Sequence, residues 1–157
     1  MSEILSLNVK DKHSPPNNSS RVGQIGEELA AQFLRRKGYR LVAANFKTPI
    51  GRNRLDVQVT GEIDLIALDA EVLCFVEVKT RSSDVFASPL AAVDLRKQRQ
   101  IIRTARMYRK IFRLHSIKIR YDVISIILPE NSRPTIELFK NYFNEAKFRK
   151  NFWADDL

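Results

Sequence analysis

Apolar residues recur along this chain with two periods, and the switches between them set out an order of elements. Val22, Ile25, Gly26, Leu29, Ala30, Phe33 and Leu34 cover one half-turn of a helical wheel. This spacing predicts a helix over residues 21–37, capped by Ser20 and stopped at Gly38. Arg40 to Phe46 reads as a strand. Lys47 to Thr60, bordered by Pro49, Gly51 and Gly61, reads as a loop or a short extra hairpin around Leu55, Asp56 and Val57. Glu62–Leu68 and Val72–Lys79 are two strands joined tightly at Asp69-Ala70-Glu71. A long helix is expected over Pro89–Arg113, with proline in its first turn and a stripe of Leu90, Val93, Ile101, Ala105, Tyr108 and Phe112. Ile117–Leu128 is a strand rich in β-branched residues, and a turn from Pro129 to Pro134 leads to a short strand, Thr135–Phe139. The order helix, three strands, helix, two strands predicts an α/β fold, a mixed sheet flanked by helices. One domain over residues 21–140 is expected between a disordered polar tail (1–20) and a C-terminal helix or tail (141–157) carrying Phe148, Phe152 and Trp153.

The first strand pair is chemically the most informative segment. A turn of two or four residues sets Asp69 opposite Val72, or Leu68 opposite Leu73, and on that register Asp64 falls opposite Glu77. Lys79, two residues beyond Glu77, points to the same face. A three-residue loop would put the acids on opposite faces unless a bulge restored the register. Opposed carboxylates in apolar surroundings repel unless a divalent cation takes oxygen ligands from both or Lys79 pairs with them. The competing structural reading is a salt-bridge ladder on an edge strand. A strand as apolar as Val72–Val78 argues instead for a central position.

Two further residues lie near these acids by periodicity. Glu27 sits just past the Leu34 edge of the first helix's apolar arc, whereas Glu28 lies mid-way along the polar face, so Glu27 is the better third acid. Against this stands the ordinary solvated helix glutamate. Lys97 and Asp94 fall inside the second helix's apolar stripe, where a lysine must snorkel, pair or do chemistry. The opposite face carries Arg96, Arg99, Arg103, Arg106, Lys110 and Arg113, with Arg109 at its margin and no acid between Leu95 and Arg113. A helix face of one sign repels itself and is stabilised by a phosphate backbone laid along it.

Composition changes the picture only in narrowing partners. The 157 residues carry a net charge of +9, which favours polyanions, nucleic acid first. Cys74 is the only cysteine and lies in an apolar run, so it reads as a buried inert thiol, and a cytoplasmic location is expected. No stretch is long and apolar enough to span a bilayer, and no membrane partner is expected. His13 and His115 are isolated, which sets zinc aside. Asp122 reads as a paired structural aspartate rather than a supporting acid of the site.

Gly23-x-x-Gly26-Glu27-x-x-Ala30, Gly61-Glu62-Ile63-Asp64 and Phe75-Val76-Glu77-Val78-Lys79-Thr80-Arg81 together resemble the bacterial YraN family of the PD-(D/E)XK nuclease superfamily, which is similar to archaeal Holliday-junction resolvases. The resemblance covers about residues 21–128, with Lys97 and Asp122 matching the family's later lysine and aspartate. It implies a restriction-endonuclease-like αβββαβ core, Mg²⁺ or Mn²⁺ as cofactor, and Asp64, Glu77 and the Val78 carbonyl as metal ligands. It also implies Lys79 as catalytic lysine and Glu27 as the helix acid. Ile63 stands where the family has proline, and Asp56 in the long segment before it is a competing ligand. The expectation is a metal-dependent endonuclease acting on DNA, branched or damaged, with Glu27, Asp64, Glu77, Lys79 and Lys97 catalytic. Arg81 and the basic helix face would hold the nucleic acid, and a homodimer is a candidate assembly. The alternatives are a non-catalytic nucleic-acid-binding module on the same fold, or a structural protein whose aromatic C-terminus docks on another subunit.

Overall fold

The computed structural model describes residues 18–83 and 89–149. Most of the expected N-terminal tail, with His13, and Phe152 and Trp153 at the other end lie outside the described residues. The elements run α1 (Asn18–Arg36), β1 (Arg40–Arg52), β2 (Gln58–Asp69), β3 (Val72–Arg81), α2 (Leu95–Ile111), β4 (Ile119–Ile127) and β5 (Thr135–Phe143). Short 3₁₀ turns at Pro89–Ala92 and Glu145–Phe148 complete them. The five strands form one mixed sheet in chain order: β3 and β4 are parallel, joined by the α2 crossover, and every other pair is antiparallel. This is the predicted α/β architecture, and β3 is its middle strand.

Two apolar layers hold the sheet between the helices. On one face Ile63, Ile66 and Phe75 pack with Ile101, Ile102 and Tyr108 of α2. On the other, Leu65, Val76, Ile124 and Ile126 pack with Ala30 and Leu34 of α1. Each large side chain removed from water contributes ~1.5–3 kcal/mol, so the central strands form a rigid frame. Two glycines let the helices approach it. A Cβ at Gly26 would overlap the Thr80 side chain of β3, and one at Gly61 would overlap that of Thr104 on α2. These two contacts bring α1 and α2 down on the same end of β2 and β3.

Several element boundaries differ from those expected, for local reasons. Helix α1 begins at Asn18, ahead of the expected Ser20 cap, and is rotated so that Gly26, Ala30 and Leu34 are buried while Ile25 is 47% exposed. It ends as expected around Gly38, with the Tyr39 amide donating to the Leu34 carbonyl at 3.0 Å. Of the two readings of residues 47–60, the hairpin holds and the loop does not: β1 and β2 continue as a paired arm to Arg52 and Gln58, closed by a turn over residues 53–57. Pro49 is tolerated because β1 is an edge strand. Helix α2 begins at Leu95, not at Pro89. Asp94 is its N-cap, with Oδ1 accepting from the Lys97 amide at 2.9 Å, and does not belong to the apolar stripe. The last strand runs on to Phe143 before the 3₁₀ turn at Glu145–Phe148.

Candidate active site

The register predicted across the first strand pair holds. Asp69 pairs with Val72, Leu68 with Leu73 and Leu65 with Val76 around a two-residue turn in which Ala70 takes φ 52°. Beyond Leu65 the ladder stops, and Asp64 uses the gap. Its Oδ2 accepts from the Val78 amide at 2.8 Å, which ties the end of β2 to β3 through a side chain. Glu77 therefore lies beside Asp64 on a central strand, and the edge-ladder reading falls.

Glu77 is 3% exposed, and its two oxygens differ. Oε1 receives Lys79 Nζ at 3.1 Å and Lys97 Nζ at 3.4 Å. Oε2 is buried without a hydrogen-bond partner. The Thr80 hydroxyl, three residues further on and turned to the α1 face, is also buried and unpartnered. An uncompensated carboxylate oxygen in such a place costs free energy that only a further cation or donor offsets. Burial first, and then the charge of Glu77, push the Asp64 carboxyl up to about 7, against the pull of the Val78 amide and Lys97. Burial also raises Glu27 above its ordinary value, and the charges of Glu62 and Glu77 add to this. A hydrogen bond from Asn45 and the charge of Lys47 act in the opposite direction.

Four elements thus converge: β2 supplies Asp64, β3 supplies Glu77 and Lys79, α2 supplies Lys97, and α1 supplies Glu27. The convergence is graded. Glu77 and the two lysines interact directly. Asp64 is tied to β3 through the Val78 amide and feels Glu77 and Lys97 through their charge, and Glu27 acts on the acids through its charge. Among the described residues no group of three or more His, Cys, Asp or Glu lies close enough to hold one metal ion. Two carboxylates with a vacant, buried oxygen lone pair still suit a hard divalent cation that completes its shell with water. Asp56, the competing ligand, sits instead at the tip of the arm, paired with Arg52 at 3.5 Å.

The basic face of α2 is less free than its sequence implied. Arg106 and Arg109 reach Glu145 at 2.9 and 3.9 Å. Arg103 donates to the Ile50 carbonyl at 3.0 Å, and Arg99 lies over the Phe148 ring. Arg96, Lys110 and Arg113 remain at the surface, and Arg81 is half-buried at the end of β3. Asp122 is wholly buried and structural, as read: Arg120 clasps it at 2.8 and 2.9 Å, and the Asn141 amide donates at 2.8 Å. Cys74 is buried, and its thiol is pushed up to about 12, chiefly by burial, so it is inert. Sequence reasoning missed Asn45 and Glu145. Asn45 had a faint signal, since asparagine favours the left-handed backbone it adopts here (φ 51°). Glu145 had none, lying 39 residues from Arg106.

By fold and site this is a mixed-sheet α/β protein with a buried carboxylate–lysine cluster where its central strands part. Residues 26–126 match the model of the Uncharacterised protein family UPF0102. The chain belongs to that family, the YraN family. A UPF0102 protein of Trichlorobacter lovleyi is 40% identical over 126 residues, 80% of this chain and 91% of the relative. One from Chlorobium chlorochromatii is 42% identical over 142 residues, 90% of this chain and 98% of the relative. A solved chain described as "Crystal structure of SSO0001" aligns at 14% identity and a TM-score of 0.42, over 90% of this chain and 59% of that one. No helix among the described residues is long and apolar enough to cross a membrane.

Proposed function

We propose that this protein is a metal-dependent endonuclease that hydrolyses phosphodiester bonds in DNA, branched or damaged. The observation that carries the reading is Glu77: a buried carboxylate with two lysines on one oxygen and nothing on the other. A purely structural ion pair satisfies both oxygens, whereas this one keeps an acceptor open beside a second carboxylate.

Asp64 and Glu77 would hold Mg²⁺ or Mn²⁺, with the Val78 carbonyl as a backbone donor. When bound, the ion supplies Lewis-acid polarisation of the phosphate and a more acidic water. The chain's own groups do the rest. Lys79 stands where it can orient the attacking water and offset charge that develops on the phosphoryl oxygens. Lys97 holds Glu77 from the other side and adds a second positive charge. Glu27 orients water at the rim. The Val78 amide fixes the Asp64 rotamer, so that its free oxygen is presented in one direction. Arg81, Arg96, Arg99, Arg103, Lys110 and Arg113 would contact the DNA backbone, with Arg106 drawn toward Glu145 instead.

The purified chain incubated with branched, linear and single-stranded DNA in Mg²⁺ or Mn²⁺ is expected to cut, and Asp64→Asn and Lys79→Ala are expected not to. Equal cleavage by wild type and Asp64→Asn would sink the proposal. A second reading is a nucleic-acid-binding module without catalysis, for which the lysines on Glu77 serve as an ion pair of the frame. That reading expects binding which survives Glu77→Ala and removal of divalent ions.

A further inference from the structure

The β1–β2 arm is built in a way that the proposed chemistry does not use. Its base is locked to α2: Arg103 donates to the Ile50 carbonyl at 3.0 Å, Gln100 to the Thr60 carbonyl at 3.5 Å, and Gly61 lies against Thr104. Ile50 and Thr48 are buried there. From Gly51 to Gln58, by contrast, every residue is exposed. The arm therefore stands out from a fixed root.

Its tip is rigid, yet it displays apolar groups. Asn53 Oδ1 accepts from the amides of Leu55 and Val57 at 2.9 and 3.0 Å, and the Asn53 amide donates to the Val57 carbonyl at 2.9 Å. Arg52 donates to the Asp56 carbonyl at 2.7 Å and pairs with its carboxylate. These bonds order a turn that displays Leu55, 83% exposed, with Val57 at 56%. An exposed leucine alone is ordinary; here Leu55 and Val57 are held together at the end of a hydrogen-bonded turn, as a small apolar point that a partner can meet without ordering it first.

The surroundings indicate what the partner is. The groove of about 410 Å³ between the arm and α2 is walled by Ile50 and Val59 on one side and by Arg96, Lys97, Arg99 and Arg103 on the other. Lys97 belongs both to this groove and to the Glu77 cluster. The groove carries four basic side chains against one acid, Asp94, and lies at the root of an arm that ends in apolar groups; this pairing suits a polyanion carrying flat apolar faces, and nucleic acid has both.

We propose that the arm tip is a wedge: Leu55, backed by Val57, inserts at an opened base step while the phosphate backbone lies in the groove along α2. The proposal rests on the DNA reading given above and adds to it the element that recognises an interrupted stack. It is independent of bond cleavage.

The test uses the full chain in EDTA, so that nothing is cut. The probes are a nicked duplex with 2-aminopurine beside the nick and the same duplex continuous. Wild type is expected to raise 2-aminopurine fluorescence on the nicked duplex and to bind it more tightly than the continuous one. Leu55→Ser, an exposed change that leaves the core untouched, is expected to abolish the fluorescence rise and to cut the nicked-to-continuous affinity ratio about tenfold. Leu55→Phe is expected to retain both effects. An unchanged ratio and fluorescence in Leu55→Ser would overturn the wedge, as would an equal loss on both duplexes. So would a shift from dimer to monomer in Leu55→Ser without any effect on DNA, which would make a second copy the occupant. Unstacking without cleavage in Mg²⁺ would leave the wedge standing and remove the nuclease reading. Cleavage with no Leu55 effect would do the reverse.

Discussion

Two buried acids lie on adjacent central strands and meet opposite conditions. Asp122 of β4, on the α1 side of the sheet, receives three donors from Arg120 and Asn141. Arg120 in turn also binds Asp69 at 2.9 Å. The guanidinium is held well above its ordinary range, chiefly by the Asp122 hydrogen bond, and Asp69 is lowered, chiefly by its hydrogen bond from Arg120. Glu77 of β3, on the α2 side, has both its cations on one oxygen and none on the other, and its neighbour Asp64 is pushed up to about 7. Burial alone does not separate the two, because both acids are almost fully enclosed. Satisfaction does: the first cluster is closed, and the second keeps an open acceptor and a carboxyl ready to lose its proton.

The largest effect expected from this contrast is on stability. Asp122→Ala leaves Arg120 without its principal partner and is expected to cost ~3–5 kcal/mol in urea denaturation. Glu77→Gln should cost far less. Equal losses would erase the distinction between the clusters. On activity, Lys79→Ala is expected to lower cleavage about 100-fold or more, on the order of 2.7 kcal/mol of transition-state stabilisation, with the unfolding midpoint little changed. A fall in stability that matched the loss of activity would make Lys79 a structural ion-pair partner like Arg120.

The open cluster should also be a point of strain. Asp64 ordinarily titrates near 3.8 and here near 7. The folded chain therefore holds the extra proton between these values, and Asp64 lowers stability as pH rises through that window. Asp64→Asn should consequently raise the thermal midpoint in EDTA at neutral pH. Mg²⁺ should raise the midpoint of wild type and not that of the variant. Mn²⁺ affinity, read by calorimetry, should weaken about tenfold for each unit below pH 7 and level off above it, because the ion competes with the Asp64 proton. A pH-independent affinity would place the ion elsewhere. The smallest effect concerns the groove: Arg96→Ala should reduce the slope of log affinity against log salt by about 0.9, the value for one phosphate contact.

The sequence revealed the site better than it revealed the surface around it. The sequence left the turn at Asp69-Ala70-Glu71 open between an even and a three-residue loop; the two-residue turn carries the register through Leu65 and Val76, and period-two alternation puts Glu77 and Lys79 on one face. Lys97 was legible because a lysine breaks an apolar stripe, and Glu27 because it borders one. Asp94 was misread for the same reason, since a cap residue also falls in the stripe's phase. The arm was legible only as one of two alternatives, and its length was masked by Pro49, Gly51 and Gly61, which punctuate most chains but here occupy an edge strand, a register shift and a close helix contact. The partial neutralisation of the α2 arginines depends on Glu145, distant in sequence and brought near only by β5 and the turn after it. Long-range pairing of this kind leaves no periodic trace.

Because Asp64, Glu77, Lys97 and Glu27 come from four different elements, the cluster exists only where α1, β2, β3 and α2 have all come together. A nascent or partly unfolded molecule lacks either the α2 lysine or the α1 acid, and so cannot present the full set of groups to a nucleic acid. For a protein proposed to cut DNA, this makes completed folding a safeguard.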